Sequence, residues 1–195
     1  MLKLAITGGL CSGKSLVSAL LRERGCDVLD ADALARELSA GPLRPALAAR
    51  FGADTSAPRL ASIVFAPGAE GELKALEAIL HHAIMAETDR RFAALDAAGA
   101  ACVGLEATLL IEKNLLAEFD RVILVVADLE TRIARFMRRS RGSRAEALAR
   151  MMHQLADEEK VKRLDGRGLV ISNNGSIEEM RRQLDQAWAR WQDEL

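Results

Sequence analysis

The sequence is short of the features that mark several protein classes. Cysteine occurs only at Cys11, Cys26 and Cys102, scattered, with no C-x-x-C pair and no histidine at ligand spacing. Neither a disulfide framework nor a zinc site is indicated, and a reducing cytosol fits best. No apolar run approaches the ~20 residues that a membrane span needs. The N-terminus enters a strand within a few residues, so a cytoplasmic protein with no membrane partner is expected. Neither sign of charge is in excess: 27 Lys and Arg stand against 28 Asp and Glu, a net charge of −1. That balance gives no global pull toward nucleic acid, and none is expected as a partner; any basic site must be local. Internal repeats and low-complexity segments are also missing. What remains, 195 residues of which 50% are hydrophobic and only 4% aromatic, suits one α/β domain able to bury a full core, with room for a small inserted subdomain. Oligomeric state is not indicated.

What is present is concentrated near the N-terminus. Residues 8–15, Gly-Gly-Leu-Cys-Ser-Gly-Lys-Ser, satisfy G-x-x-x-x-G-K-[ST]. A loop that wraps phosphates must turn its backbone N–H groups inward, which needs glycine where a Cβ is forbidden. Gly8 and Gly13 fill those places. Lys14 can reach the β- and γ-phosphates, Ser15 can offer its hydroxyl to Mg²⁺, and a helix beginning near Gly13 aims its positive end at the anion. The context agrees: Lys3 to Thr7 reads as a buried strand, while Leu16, Val17, Leu20 and Leu21 repeat on one helical face before Gly25. ATP with Mg²⁺ is the expected ligand, held by Gly9, Cys11, Ser12, Gly13, Lys14, Ser15 and Leu16.

Further along, Cys26 to Leu29 reads as a strand ending in Asp30-Ala31-Asp32, with a helix from Ala33 to Ser39. Ligands bind at the C-terminal edge of open α/β sheets, so one of these carboxylates can face that crevice; equally, either can cap the next helix. Pro42 to Gly71 holds all four prolines, with a short helix over Arg44 to Phe51, and reads as an inserted cap. Glu72 to Ala98 is one long helix with His81 and His82 near its middle; adjacent helical residues diverge by about 100°, so the pair cannot jointly hold a metal. Ala101 to Ala107 and Arg121 to Ala127 are the third and fourth strands. Then Arg132, Arg135, Arg138, Arg139, Arg141 and Arg144 form a basic helix interrupted at Gly142-Ser143, which suits a hinged lid over a triphosphate. Ala145 to Leu164 reads as a second long helix and Leu169 to Ile171 as the fifth strand. Ser176 and Glu179 make a capping box for a last helix whose stripe is Ile177, Met180, Leu184, Ala187, Trp188 and Trp191.

In this order, the phosphate loop, Asp30-Ala31-Asp32 with Ala35-Arg36, Leu76 to His81, Leu109-Leu110-Ile111-Glu112, the arginine segment, Gln154 and Asn173-Asn174-Gly175 resemble the dephospho-CoA kinases over nearly the full length. The resemblance implies a P-loop kinase, α/β with a five-stranded parallel sheet flanked by helices. It places a helical CoA-binding region at about 32–98 and a mobile lid at about 129–165 within a single domain. It implies ATP-dependent phosphorylation of the ribose 3′-hydroxyl of dephospho-CoA. By position, Asp32 matches the catalytic carboxylate, Lys14 and Arg139 the phosphate-side cations, Arg36 and His81 substrate positions, and Asn173 the loop near adenine. The chain departs from the family pattern at Cys11 (usually Gly), His82 and Thr108 (both usually Pro) and Ser172 (usually Asp). Another small-molecule or nucleoside monophosphate kinase shares the loop but leaves Asp-Ala-Asp with Arg36 unexplained; a guanine-nucleotide switch is expected to carry N-K-x-D, which does not occur.

Overall fold

The computed structural model describes residues 1–164, 166 and 168–192. The chain runs β1 (Leu2–Gly8), α1 (Lys14–Arg22), β2 (Asp27–Asp30), α2 (Ala31–Ala40), α3 (Arg44–Phe51), α4 (Ala57–Val64), α5 (Glu70–Ala97), β3 (Cys102–Glu106), a 3₁₀ turn (Leu116–Glu118) and β4 (Arg121–Val126). It continues through α6 (Leu129–Ser140), α7 (Arg144–Met151), α8 (Asp157–Lys162), β5 (Gly168–Ser172) and α9 (Ile177–Gln192). Two compact units result, one of residues 1–28 with 95–195 and one of residues 29–94.

The first unit is built on a five-stranded sheet of order β2-β3-β1-β4-β5. The pairs β1–β3, β1–β4 and β4–β5 are parallel. A strand buried on both faces needs an uninterrupted apolar run, and β1 and β4 supply it: Leu4, Ile6, Ile123 and Val125 have no exposed surface. On one face α1 and α9 cover the sheet through Leu20, Leu21, Met180, Leu184, Trp188 and Trp191. The tryptophans are therefore core. Ile177 is a correction to the expected stripe: it is 52% exposed, since it opens the helix before the packed turns begin. Cys26 and Cys102 are buried free thiols with sulfurs 2.7 Å apart. Their mutual hydrogen bond and then burial push the Cys26 thiol well above its ordinary range.

The parallel register sets Gly8 against Val125 at the C-terminal end of β1. It also sets Ile6 against Glu106, which ends β3. The phosphate loop and Glu106 thus leave the sheet at the same edge, where ligands of such sheets bind.

The predicted long helix from Ala145 to Leu164 is two helices, α7 and α8, with residues 152–156 between them. No proline or glycine lies in that gap. The break is tertiary: Leu155 N–H donates to Glu112 Oε1 (3.1 Å) rather than up a helix, and the Gln154 side chain accepts from Leu10 N–H (2.9 Å).

The second unit is helical. Leu47, Phe51, Leu60 and Val64 form its core, with Leu73, Leu76 and Ile79 of α5 packed on it. Helix α4, unanticipated inside the proline-bearing stretch, begins with Pro58 in its first turn, where the missing N–H costs nothing. Arg91 joins α5 to α2 through Glu37 (2.7 Å).

Candidate active site

Three residues of positive φ shape the phosphate loop: Gly8 (145°), Cys11 (59°) and Gly13 (107°). At Gly8 a Cβ would lie 2.2 Å from the Val125 carbonyl oxygen, and at Gly13 it would lie 1.9 Å from the Asn173 amide nitrogen. Neither place admits a side chain. Cys11 takes a left-handed conformation that glycine adopts without strain, which accounts physically for the glycine usual there. Lys14 Nζ donates to the carbonyls of Gly8 (3.1 Å) and Gly9 (3.2 Å), curling back over the loop. Helix α1 starts without a side-chain cap and without an acid in its first turn, so its N-terminal dipole is left for an anion.

Ser15 Oγ donates to Glu106 Oε1 at 2.8 Å, and Ser18 Oγ donates to Glu106 Oε2 at 2.8 Å. Glu106 is 7% exposed, a buried carboxylate beside the hydroxyl expected to face a metal. Sequence reasoning missed it. The available signal was an acid ending the apolar strand Cys102–Glu106, the same position that drew attention to Asp30.

The loop's outer side is braced. Arg132 Nε donates to the Leu10 carbonyl (3.0 Å), and its guanidinium lies where a Cβ on Gly9 would stand. Arg135 donates to the carbonyls of Ser12 (3.2 Å) and Asn173 (2.9 Å), and Asn173 Nδ2 donates to Ser12 (2.7 Å). These contacts correct the reading of the arginine run as one lid surface. Arg132 is 8% exposed and serves the loop, whereas Arg138, Arg139 and Arg141 are exposed. Arg144 pairs with Glu130 through two bonds of 2.6 Å. The interruption is built by Arg141 in the left-handed region (φ 55°) and by a Ser143–Glu146 capping box that opens α7.

In the second unit the neighbouring aspartates divide the roles that the sequence left open. Asp30 caps α2, its Oδ1 accepting from the N–H groups of Asp32 (2.8 Å) and Ala33 (3.2 Å). Asp32 instead lines a cavity of about 730 Å³ together with Arg36, Arg44, Phe65, Leu76 and Leu80. The cavity brings Asp32 and Arg36 together but not His81, which meets His82 edge-on at 5.6 Å.

Residues 2–179 match the family model described as dephospho-CoA kinase. The chain belongs to the dephospho-CoA kinase family. A dephospho-CoA kinase of Geobacter sulfurreducens is 38% identical over 96% of this chain and 97% of its own length. A solved structure from Thermus thermophilus is 38% identical with a TM-score of 0.80, covering 97% of each chain. A shikimate kinase from Acinetobacter baumannii, 12% identical with a TM-score of 0.61 over 100% of this chain and 96% of its own, shares the fold alone. The α/β P-loop kinase fold is therefore common to this dephospho-CoA kinase family member and to kinases of other acceptors. At its departures from the family pattern, Thr108 accepts a hydrogen bond from Thr7 Oγ1 through its carbonyl (3.3 Å), and His82 is exposed.

Proposed function

We propose that the protein is a cytoplasmic enzyme that transfers the γ-phosphoryl group of ATP to the ribose 3′-hydroxyl of dephospho-CoA, giving coenzyme A and ADP. Family membership supports the reaction, and one observation carries the assignment of its base: Asp30 is committed to a helix cap while Asp32 faces the cavity. Asp32 takes the proton of the 3′-hydroxyl as that oxygen bonds to phosphorus and the bond to the ADP oxygen breaks. Lys14 and the loop N–H groups stabilise the charge that gathers on the phosphoryl oxygens, and Arg139 contributes from the lid. Arg36 and the apolar wall of the cavity hold the acceptor, with His81 on the substrate side and Asn173 near the adenine.

Mg²⁺ fits the donors present. Ser15 Oγ and the Glu106 carboxylate are hard oxygen ligands 2.8 Å apart, and Mg²⁺ is commonly held by one or two protein oxygens with substrate phosphates and water. Among the described residues no group of three His, Cys, Asp or Glu could hold a metal by itself; Ser15 and Glu106 would hold the ion together with substrate phosphates and water. The ion supplies charge neutralisation at the phosphates.

The test is a kinetic comparison of Asp32→Asn with Asp30→Asn. Asp32→Asn keeps size but removes basicity, so kcat should fall on the order of 10²-fold with ATP binding kept. Asp30→Asn should retain most turnover, since asparagine also caps helices. A kinetic defect confined to Asp30→Asn overturns the assignment.

A further inference from the structure

Among the described residues, charge is also buried outside the groups assigned above. Lys160 on α8 has no exposed surface, and its ammonium lies 3.2 Å from Glu112 Oε1. Asp157, at the start of the same helix, lies 3.7 Å from the Arg132 guanidinium. The pairs are close but poorly aligned: Lys160 Nζ, Glu112 Oε2 and Asp157 Oδ1 make no hydrogen bond. Burial lifts the Asp157 carboxyl above its ordinary range in spite of Arg132 and Lys160. Buried pairs of this kind are often no more stabilising than apolar side chains of the same volume. Stability does not explain them.

Their connections do. Glu112 Oε1 also accepts the N–H of Leu155 (3.1 Å), which pins the peptide next to Gln154. Gln154 Oε1 accepts from Leu10 N–H (2.9 Å) and Arg132 NH2 (3.4 Å), and Arg132 Nε donates to Leu10 O (3.0 Å). Both backbone polar groups of Leu10 are thereby held from one side, at the limb of the loop just before left-handed Cys11. The path runs from Lys160 through Glu112 and Leu155 to Gln154 and the loop. It also explains why the helix predicted over Ala145 to Leu164 is broken where it is.

We infer that Lys160 and Glu112 are positioning residues for the phosphate loop, fixing through Gln154 the peptide orientation at Leu10 that nucleotide binding requires. The inference rests on the reading of the loop as an ATP site.

The test uses the full chain and ATP, with the dissociation constant for ATP measured alongside the melting temperature of the nucleotide-free protein. Lys160→Met keeps length and removes charge. It should weaken ATP on the order of tenfold, the worth of about one hydrogen bond, with KM for dephospho-CoA unchanged; the melting temperature should fall, because Glu112 is left without its cation. Gln154→Ala should lose a similar amount. The double variant should be no worse than Gln154→Ala alone, because both changes act on one path; Lys160→Arg should restore part of the loss. Wild-type ATP affinity in folded Lys160→Met, or additive losses in the double variant, overturns the inference. If Lys160→Met does not fold, Glu112→Gln decides by the same two readouts. If the unaltered protein binds no ATP, the nucleotide reading itself has failed and this inference falls with it.

Discussion

Replacing Glu106 separates two uses of one carboxylate. Its oxygens accept from Ser15 and Ser18, each at 2.8 Å, and Ser18 has no exposed surface. In Glu106→Ala the Ser18 hydroxyl loses its acceptor inside the core, at a cost of about 1–3 kcal/mol. For a domain of this size that lowers the melting temperature by roughly 2–12 °C, at 2–4 °C per kcal/mol. Glu106→Gln behaves differently. Its carbonyl still accepts one hydroxyl and its amide donates to the other, so stability should change by less than about 1 kcal/mol, both partners remaining satisfied. What glutamine lacks is the charge. If Glu106 helps hold Mg²⁺, whose Lewis-acid role is worth several kcal/mol, turnover should fall on the order of 10²-fold and the Mg²⁺ concentration for half-maximal rate should rise. The assay is a Mg²⁺ titration of the ATP-dependent rate beside thermal melting without nucleotide. Glu106→Gln with an unchanged Mg²⁺ requirement would refute the reasoning and leave Glu106 as a structural anchor for α1.

Other expectations follow from the same contacts. Cys11→Gly relieves a left-handed residue that costs about 1 kcal/mol and loses part of that through a freer unfolded chain. The melting temperature should hold or rise; a clear fall would mean that packing against the cluster of Ile133, Phe136, Ala147 and Met151 outweighs the strain. Arg139→Ala should cost on the order of 10³-fold in rate if it supplies transition-state charge. Arg144→Ala should change little, since its exposed pair with Glu130 is a surface bridge; equal kinetic effects sink the distinction. Glu87 is held down to about 2, by hydrogen bonds from Arg90 and then Arg91. A depressed carboxyl stabilises above its ordinary value of 4.5, and that stabilisation is lost as pH falls through about 2. Acid titration of Glu87→Gln should therefore converge on the wild type over that window, and a constant difference would contradict the assigned cause.

The sheet and the phosphate loop were legible because their signals are local. Apolar runs such as Arg121 to Ala127 need no partner to be recognised as buried strands, and glycine at two fixed places encodes the loop's turns. The division between Asp30 and Asp32 was half legible: sequence supplied both candidates, but only the N–H groups meeting Asp30 Oδ1 show which one caps. Glu106 was missed because an acid at a strand end is ordinary until Ser15 and Ser18, far away in sequence, are brought to it. Arg132 offered a signal that went unused. It stands one turn before Phe136, and both are buried, so the arginine run contained an inward-facing member. The break after Met151 had no local mark at all, since tertiary hydrogen bonds to Glu112 and Leu10 override the helical pattern there.

Phosphoryl transfer to one hydroxyl of one acceptor is the proposed reaction. Purified protein with ATP, Mg²⁺ and dephospho-CoA, followed by ³¹P NMR of the products, measures it directly. The expected result is ADP and a new phosphomonoester on the ribose 3′-oxygen in equal amounts, absent when shikimate or a nucleoside monophosphate replaces dephospho-CoA. Phosphate released without an acceptor product, or faster transfer to one of those other acceptors, would contradict it.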